Sequence, residues 1–332
     1  MNIAEIAKLA GVSSAAVSRY FNNGYISEEK RERIRKVVEE TRYRPSLQAQ
    51  TLRTRKTRLI GVILPKIDSA AAMGSVVAGI LSVINDNGYH MLLADTQSDP
   101  GKELEYLVFF NEKQVDGVIL VATVFTNGHK KALKEMTVPV VIVGQTLPGY
   151  HCVYHDDYHA FYDMTRLLLE KGRRHLGYVG VFHHDRAVVL ERYQGYIDAV
   201  KDQGLEELAQ CHVTADFTIE SGYEKGGELL ERYGNLDGII CATDSIAIGV
   251  LRFLKERKVR IPQDVMVTGQ GDSTLSQVVS PALTTIRYSY VESGSLAATM
   301  LLGLLEKKES AMKEIKMGYS IVERLSTGVS PQ

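Results

Sequence analysis

Several polar and aromatic side chains follow apolar segments of the chain, where predicted strands end and loops begin. Carboxylates and amides bind sugar hydroxyls, an arginine fits paired hydroxyls or a phosphate, and an aromatic ring can stack on the apolar face of a sugar. The candidates for such a binding site are Lys66, Asp68, Ser69, Asp157, Arg186, Arg192, Phe217, Asp244, Gln270, Asp272 and Tyr290. Simpler alternatives exist for two of them, because Asp244 can cap a helix and Arg192 can form a structural ion pair.

Catalytic and metal chemistry is not indicated by the sequence. Residues 183–186 (HHDR) suggest a proton relay, but no nucleophile accompanies them. The chain has no dinucleotide-binding glycine motif, Walker loop or nucleophile elbow. The acids within residues 155–159 (HDDYH) are better explained by helix capping and the helix dipole than by a metal. Cys152, Cys211 and Cys241 are too widely spaced for a metal knuckle or a redox pair. We therefore expect no enzyme, no cofactor and no metal.

Residues 3–22 predict two short helices joined at Gly11. Apolar residues fall at helical spacing on both, namely Ile3, Ile6, Ala7 and Ala10, and then Val17, Tyr20 and Phe21. Gly11 can adopt the left-handed conformation that ends the first helix, and Ser13 can cap the second. An ordinary helical hairpin is the alternative. The pattern is typical of a helix-turn-helix, whose second helix lies in the DNA major groove.

Two kinds of DNA contact are expected from this segment. The residues expected to face the groove are Ser14, Ala15, Ala16 and Arg19, and those expected to hold phosphates are Ser13, Ser18, Asn22 and Tyr25. A third helix, capped by Ser27 and ending near Glu40, can close a three-helix core.

Charge is distributed unevenly along the chain. Residues 1–58 hold 13 Lys and Arg against 6 Glu, whereas the whole chain has a net charge of −1, so residues 59–332 carry about −8. A small basic segment joined to a larger acidic one fits nucleic-acid binding combined with another function. The chain has no run of 18 apolar residues and leaves no room for a signal peptide before its first helix. We expect a cytoplasmic protein without a membrane partner.

From Leu59 onward the sequence predicts alternating strands and helices. The predicted strands are 59–64, 89–94, 117–122, 138–143, 176–181, 238–242, 265–268 and 319–325. The predicted helices are 76–87, 102–111, 158–170, 191–201, 223–233 and 246–255. Apolar strands separated by crossover helices indicate parallel sheets covered on both faces. The length exceeds one doubly wound sheet, so two α/β lobes are expected, with a ligand between their strand carboxyl ends.

These segments, in this order, resemble the LacI/GalR family of bacterial repressors over essentially the whole chain. The motifs that carry the resemblance are AGVS (10–13), VSR (17–19), YRPS (43–46), VDG (115–117), ERYQGY (191–196), ATDSIAIG (242–249) and SPALTTI (280–286). The resemblance implies an α/β fold with an all-α helix-turn-helix domain (1–45), a hinge helix and linker (46–58) and a periplasmic-binding-protein-like core of two doubly wound lobes (59–332). Lobe 1 would comprise 59–156 and 289–317, and lobe 2 would comprise 157–287 and 318–332.

The resemblance also implies roles for single residues. Arg19 would read a base, with a phosphate contact as the alternative. Leu52, next to Arg53, would wedge into the minor groove from both subunits at the centre of a palindrome, with packing on its own core as the alternative. Family position favours four effector contacts, which are Asp157, Arg192, Asp244 and Tyr290. The chain departs from the family at Gly271, where many members carry an acid, and Asp272 is the candidate to replace it.

The stretches KIDS (66–69) and GVFHH (180–184) are most similar to those of sucrose- and trehalose-operon repressors. That resemblance implies a disaccharide or its 6-phosphate as effector, with Lys66 and Arg186 suited to a phosphate. We expect a homodimeric repressor of a carbohydrate-utilisation operon that leaves double-stranded, palindromic operator DNA when the sugar binds. The alternatives are a global or corepressor-dependent regulator of the same family and, less well supported, a sugar-binding transport protein.

Overall fold

The computed structural model describes residues 1–22, 24–43, 56–67, 71–112, 115–181, 187–308 and 311–328. The chain divides into two compact units, Met1–Leu59 and Ile60–Gln332. Among the described residues, no helix combines the length and apolar character needed to cross a membrane.

The first unit contains three helices, which are α1 (Ile3–Ala10), α2 (Ser14–Phe21) and α3 (Glu28–Thr41). Gly11 has a φ of 60° and ends α1, and Oγ of Ser13 accepts a hydrogen bond from the Ala16 N–H at 3.2 Å at the start of α2. Both features agree with the sequence interpretation. Ser27 precedes α3 as expected, but its side chain makes no capping hydrogen bond with the described first turn. The helices enclose a small apolar core of buried side chains, among them Ile6, Val17 and Ile34.

The first lobe of the second unit is a six-stranded sheet in the order β11-β5-β4-β3-β1-β2. Its strands are β1 (Leu59–Leu64), β2 (His90–Asp95), β3 (Gly117–Val121), β4 (Val140–Val143), β5 (His151–His155) and β11 (Glu314–Met317). Its helices are α4 (Ala71–Asp86), α5 (Pro100–Glu112), α6 (Asn127–Glu135) and α12 (Tyr290–Leu305). The pairs of β1 with β3, β3 with β4, β4 with β5 and β5 with β11 are parallel.

The second lobe is a six-stranded sheet in the order β12-β10-β9-β8-β6-β7. Its strands are β6 (Leu176–Val181), β7 (His212–Ala215), β8 (Gly238–Cys241), β9 (Met266–Gln270), β10 (Thr284–Tyr288) and β12 (Tyr319–Val322). Its helices are α7 (Asp157–Glu170), α8 (Arg192–Lys201), α9 (Ile219–Tyr233), α10 (Asp244–Glu256) and α11 (Thr274–Val278). Only β12 runs antiparallel to its neighbour among the described pairs. The expectation of two lobes with largely parallel sheets, following a helical domain in the sequence, is confirmed.

The lobes are joined where the chain leaves β5, β10 and β11. In the strand register His155 pairs with Met317, and Tyr288 pairs with Tyr319. The three connections between the lobes therefore lie at strand ends of the two sheets, and each is one residue long. Side chains at these positions can contact groups from both lobes.

Glycine allows the close packing of α4 against α12 in the first lobe. A Cβ atom added to Gly79 would lie 2.0 Å from the carbonyl oxygen of Val291, and one added to Gly294 would lie 2.1 Å from that of Val76. Any larger side chain at either position would force the two helices apart.

Candidate functional site

The described part of the first unit presents a polar face on α2. Ser14, Ala15 and Arg19 are exposed on this helix, as expected for side chains that face a DNA groove. Ala16, also expected there, is buried in the three-helix core, so that expectation is wrong. Ala16 and Val17 both belong to the core of the three helices, so the buried face of α2 is wide enough to include two consecutive residues.

The side chains expected to hold phosphates surround this helix. Ser13 and Asn22 are exposed, Ser18 is half-buried, and the side-chain amide of Asn22 donates a hydrogen bond to the carbonyl of Ser18. Tyr25 is 91% exposed, which is unusual for so large an apolar ring in a folded domain. Leu52 and Arg53 lie outside the described residues.

The turn between α1 and α2 has a further support that the sequence interpretation missed. Nη2 of Arg33, on α3, donates a hydrogen bond of 2.9 Å to the carbonyl oxygen of Gly11. This bond ties the third helix to the turn that sets the angle of the second. No short-range pattern indicates it, because the two residues are 22 positions apart.

In the second unit, the first residues of α7 and α8 form a buried ion pair. Nε of Arg192 donates to Oδ1 of Asp157 at 2.6 Å, and Nη1 of Arg192 donates to the carbonyl oxygen of Ala242 at 2.7 Å. The hydroxyl of Tyr288, the last residue of β10, donates to the same carboxylate oxygen at 3.0 Å. The guanidinium also lies over the ring of Phe161, 5.4 Å from its centroid.

The ion pair sets the charge state of its surroundings. Burial alone would lower the pKa of Arg192, but the Asp157 carboxylate raises that pKa overall, so the guanidinium stays charged. Burial raises the pKa of Tyr288 well above its usual value, and the nearby Asp157 carboxylate adds to the rise. Two predicted effector residues are thus brought together, as partners of each other.

A second group of residues connects the lobes beside this pair. The imidazole of His155 (β5) stacks on Tyr288 (β10) with ring centroids 4.5 Å apart, and the edge contact between His155 and Tyr290 (α12) measures 5.2 Å. Nε2 of Gln270 (β9) donates to the hydroxyl of Tyr290 at 2.7 Å. The predicted residues Gln270 and Tyr290 are therefore hydrogen-bonded across the lobes.

Asp244 has a different role from the helix cap that the sequence left open. The cap of α10 is Thr243, whose Oγ1 accepts from the N–H of Ile246 at 3.3 Å. Asp244 instead accepts from the Thr285 hydroxyl at 2.5 Å and from the Ser273 N–H at 2.7 Å. Burial raises the pKa of its carboxyl group, and these hydrogen bonds oppose that rise. The carboxylate thereby joins α10 to the ends of β9 and β10.

The turn after β9 holds Gly271 and Asp272. Gly271 has a φ of 134°, and a Cβ atom there would lie 3.4 Å from Oδ2 of Asp244. Asp272 accepts hydrogen bonds from the guanidinium groups of Arg287 and Arg324. The Asp272 carboxylate thus forms ion pairs with two arginines of the second lobe.

Among the remaining predicted effector residues, the structure describes Phe217 and Lys66. Phe217 is half-buried and packs against the core of the second lobe, and Lys66 is exposed after β1. Asp68, Ser69 and Arg186 lie outside the described residues. Sequence reasoning placed His155 at the first lobe connection without choosing it as an effector contact, and it missed Tyr288, although Tyr288 is an aromatic residue at a strand end, which is the signal that singled out Tyr290.

Comparison with known proteins identifies both parts of the chain. Residues 2–46 match the model of bacterial regulatory proteins of the lacI family, and residues 165–327 match a periplasmic binding protein-like domain. The sucrose operon repressor of Staphylococcus xylosus is 33% identical over 92% of this chain and 94% of its own length.

Two solved structures have the same fold. The lac repressor dimer bound to operator and an anti-inducer aligns with a TM-score of 0.90 at 21% identity, covering 98% of this chain and 99% of that one. The complex of the transcriptional regulator CelR with cellobiose aligns with a TM-score of 0.74 at 24% identity, with the same coverage.

Proposed function

Because the chain belongs to the LacI family of bacterial regulatory proteins, we propose that it represses a carbohydrate-utilisation operon and that a sugar or sugar phosphate relieves the repression. Family membership makes it a DNA-binding transcriptional regulator rather than an enzyme. The proposal assigns operator binding to a domain of residues 1–45, joined by a hinge (46–58) to an effector-binding core (59–332).

The observation that carries the effector part is the polar cluster at the lobe connections. Buried polar groups are costly unless they are paired, yet Asp157, Arg192 and Gln270 are all buried beside the aromatic rings of Tyr288 and Tyr290. A few convergent polar groups with aromatic walls are the usual composition of a sugar site. Because the cluster includes side chains from both lobes, a ligand bound there would have different affinities for different lobe orientations, as a switch requires.

The DNA part rests on the basic first segment and the exposed face of α2. Arg19 is proposed to read a base, and Leu52 to unstack a base step in the minor groove. The related structure with operator DNA contains a dimer, and exposed apolar side chains on α11, including Val278 at 70% exposure, are consistent with self-association. We propose a homodimer that binds a palindromic operator.

The sucrose operon repressor among the relatives favours a disaccharide or its 6-phosphate. Calorimetry with sucrose, trehalose and their 6-phosphates tests this class directly. DNA fragments from upstream of the protein's own gene and its neighbours, labelled for fluorescence anisotropy, test the operator part in the same preparation. A sugar that binds the protein and lowers operator affinity supports an inducer.

The same assay separates the alternatives. A ligand that raises operator affinity would identify a corepressor-dependent regulator of this family. Operator binding that responds to none of the four sugars would remove the proposed effector class and leave the DNA-binding function intact.

A further inference from the structure

We propose that Nε2 of His155 accepts a hydrogen bond from a hydroxyl group of the effector, so that an uncharged hydroxyl, and not an anionic group, is bound at the lobe connections. This inference rests on the proposed function in one respect, which is that a sugar binds the core. It adds the residue and the ligand group that meet there.

The first observation is a buried nitrogen without a partner. His155 is the last residue of β5 and is 93% buried, since 7% of its surface is exposed. Within the described part of the chain, its Nε2 atom has no hydrogen-bond partner. A buried polar atom in this state is unfavourable, and in a native protein it commonly marks a place that another molecule occupies.

The second observation defines the chemistry of that nitrogen. The Ser289 backbone acts on the ring as a hydrogen-bond acceptor and favours a proton on the imidazole. Because Nε2 has no described partner, that proton is assigned to Nδ1, which leaves a lone pair on Nε2. Nε2 then needs a donor, and a sugar hydroxyl is one.

The charges around the ring exclude the other form of the imidazole. Burial, together with the Arg192 guanidinium, lowers the pKa of His155 to about 4 against the opposing effect of the Asp157 carboxylate. The facing residues Tyr288 and Tyr290 are neutral at ordinary pH because burial raises their pKa values. His155 is therefore neutral at pH 7, and it offers a phosphate oxygen neither a positive charge nor an N–H on Nε2.

The position of the ring connects binding to lobe movement. His155 belongs to the first lobe, whereas the ring of Tyr288 that stacks on it belongs to the second. Because Nε2 is buried, a hydroxyl can reach it only when the surroundings of the ring, which include Tyr288, move. The contact therefore favours one arrangement of the lobe connections over the other, which is how a ligand changes a conformational equilibrium.

The structure provides a matched control on the same strand. His151 begins β5, is also buried, and its Nδ1 atom likewise has no partner among the described residues. Four residues of strand place it roughly 13 Å from His155, away from the lobe connections. The variants H155F and H151F each replace a buried imidazole by an aromatic ring that can still pack, and only the first removes the proposed acceptor.

The test measures affinity for sucrose, trehalose and their 6-phosphates by calorimetry in the full-length wild-type protein and both variants. We expect H155F to bind the active sugar about tenfold more weakly and H151F to bind it as the wild type does. Monodeoxy analogues of that sugar, each lacking one hydroxyl group, complete a double-mutant cycle. One of these analogues should bind the wild type about tenfold more weakly than the parent sugar does. In H155F, loss of the same hydroxyl should cause no further loss of affinity.

A spectroscopic measurement on the wild-type protein tests the proposed role of Nε2 even if H155F does not fold. In wild-type protein labelled with 15N-histidine, Nε2 of His155 should carry no proton, and its resonance should shift when the sugar is added. A protonated Nε2, or a variant that binds the sugar as the wild type does, overturns this inference alone. A wild type that binds none of the four sugars overturns the proposed effector class and this inference with it.

Discussion

The carboxylate of Asp157 and the guanidinium of Arg192 form a 2.6 Å ion pair that is almost entirely buried. The two residues begin the helices α7 and α8, and Asp157 comes directly after the lobe connection that follows β5. Because the two charged groups are paired with each other, an effector at this position meets no free charge on either of them. It meets one neutral ion pair, which also accepts a hydrogen bond from Tyr288 and donates one to the carbonyl of Ala242.

We expect R192Q to destabilise the second unit by about 3–5 kcal/mol, because it leaves the Asp157 charge buried without its partner. Urea unfolding followed by circular dichroism measures the loss. The matched control is R166Q, since Arg166 pairs with Glu170 on the surface of α7. Exposed pairs of this kind contribute little to stability, because water screens both charges. Equal losses of unfolding free energy in the two variants would show that the buried ion pair stabilises the protein no more than the exposed pair does.

The double variant D157L/R192M separates stability from ligand binding. Apolar side chains of similar volume often replace a buried ion pair with little change in stability. We therefore expect the double variant to be more stable than R192Q and still to bind no sugar in calorimetry. Retained sugar binding would assign the pair a purely structural role.

The sequence predicted most of the helices and strands but not how their ends meet. β6 has the predicted bounds of 176–181, because the short length of its apolar run favours a buried strand over a helix. β5 was missed because it is short and contains two histidines, and its burial depends on β11, more than 150 residues later in the chain. The helix α12 was also missed. Both failures concern elements that only tertiary contacts define.

The site shows the same limit. Asp157 and Arg192 could be named from motifs, but their pairing spans 35 positions and depends on the packing of two helices. His155 and Tyr288 could not be brought together without the strand order, because they belong to different lobes. Ala16 was misplaced because Val17, Tyr20 and Phe21 indicate which side of α2 faces the core but not how wide the buried face is.

We expect G11A to destabilise the first unit by about 1–2 kcal/mol, because Gly11 has a φ of 60° that other residues adopt at a cost. An added Cβ would also lie 2.3 Å from the Arg33 guanidinium and displace it from the Gly11 carbonyl. Operator affinity should therefore fall more than affinity for non-specific DNA. Anisotropy titrations with both DNA types measure this, and R33Q, which removes the same hydrogen bond without backbone strain, is the control.

We expect D244N to reduce stability by about 1–3 kcal/mol, because Asp244 accepts from both the Ser273 N–H and the Thr285 hydroxyl. An asparagine offers only one acceptor atom, so one buried donor is left unpaired. T285V removes the second donor together with its bond and should cost less. Thermal unfolding compares the two. A D244N variant as stable as the wild type would contradict this structural role and would favour a direct role in effector binding.

Leu52 provides a test of operator recognition that is independent of the core. If this side chain unstacks a base step, L52A should lose affinity for the operator much more than for non-specific DNA, since only the bent operator accommodates the wedge. Competition titrations at fixed salt measure both affinities. Equal losses on both DNA types would remove the wedge role and indicate packing of Leu52 on the protein itself.

The stability of the second unit should fall on acidification, in part because of His155. Its pKa is about 4 in the folded protein, against about 6.5 in an unfolded chain. Between these values the unfolded state takes up a proton that the folded state does not, so the free energy of unfolding decreases as the pH is lowered from 6.5 to 4. His155 therefore contributes about 3 kcal/mol to the free energy of unfolding at neutral pH, and this contribution is lost on acidification.

H155F has no titrating group at this position, so the difference in unfolding free energy between it and the wild type should change by about 3 kcal/mol from pH 7 to pH 4. Urea unfolding at intervals across this pH range measures the difference. The titration of the side chains that both proteins share cancels in it. A difference that stays constant with pH would show that His155 titrates in the folded protein as it does in the unfolded chain.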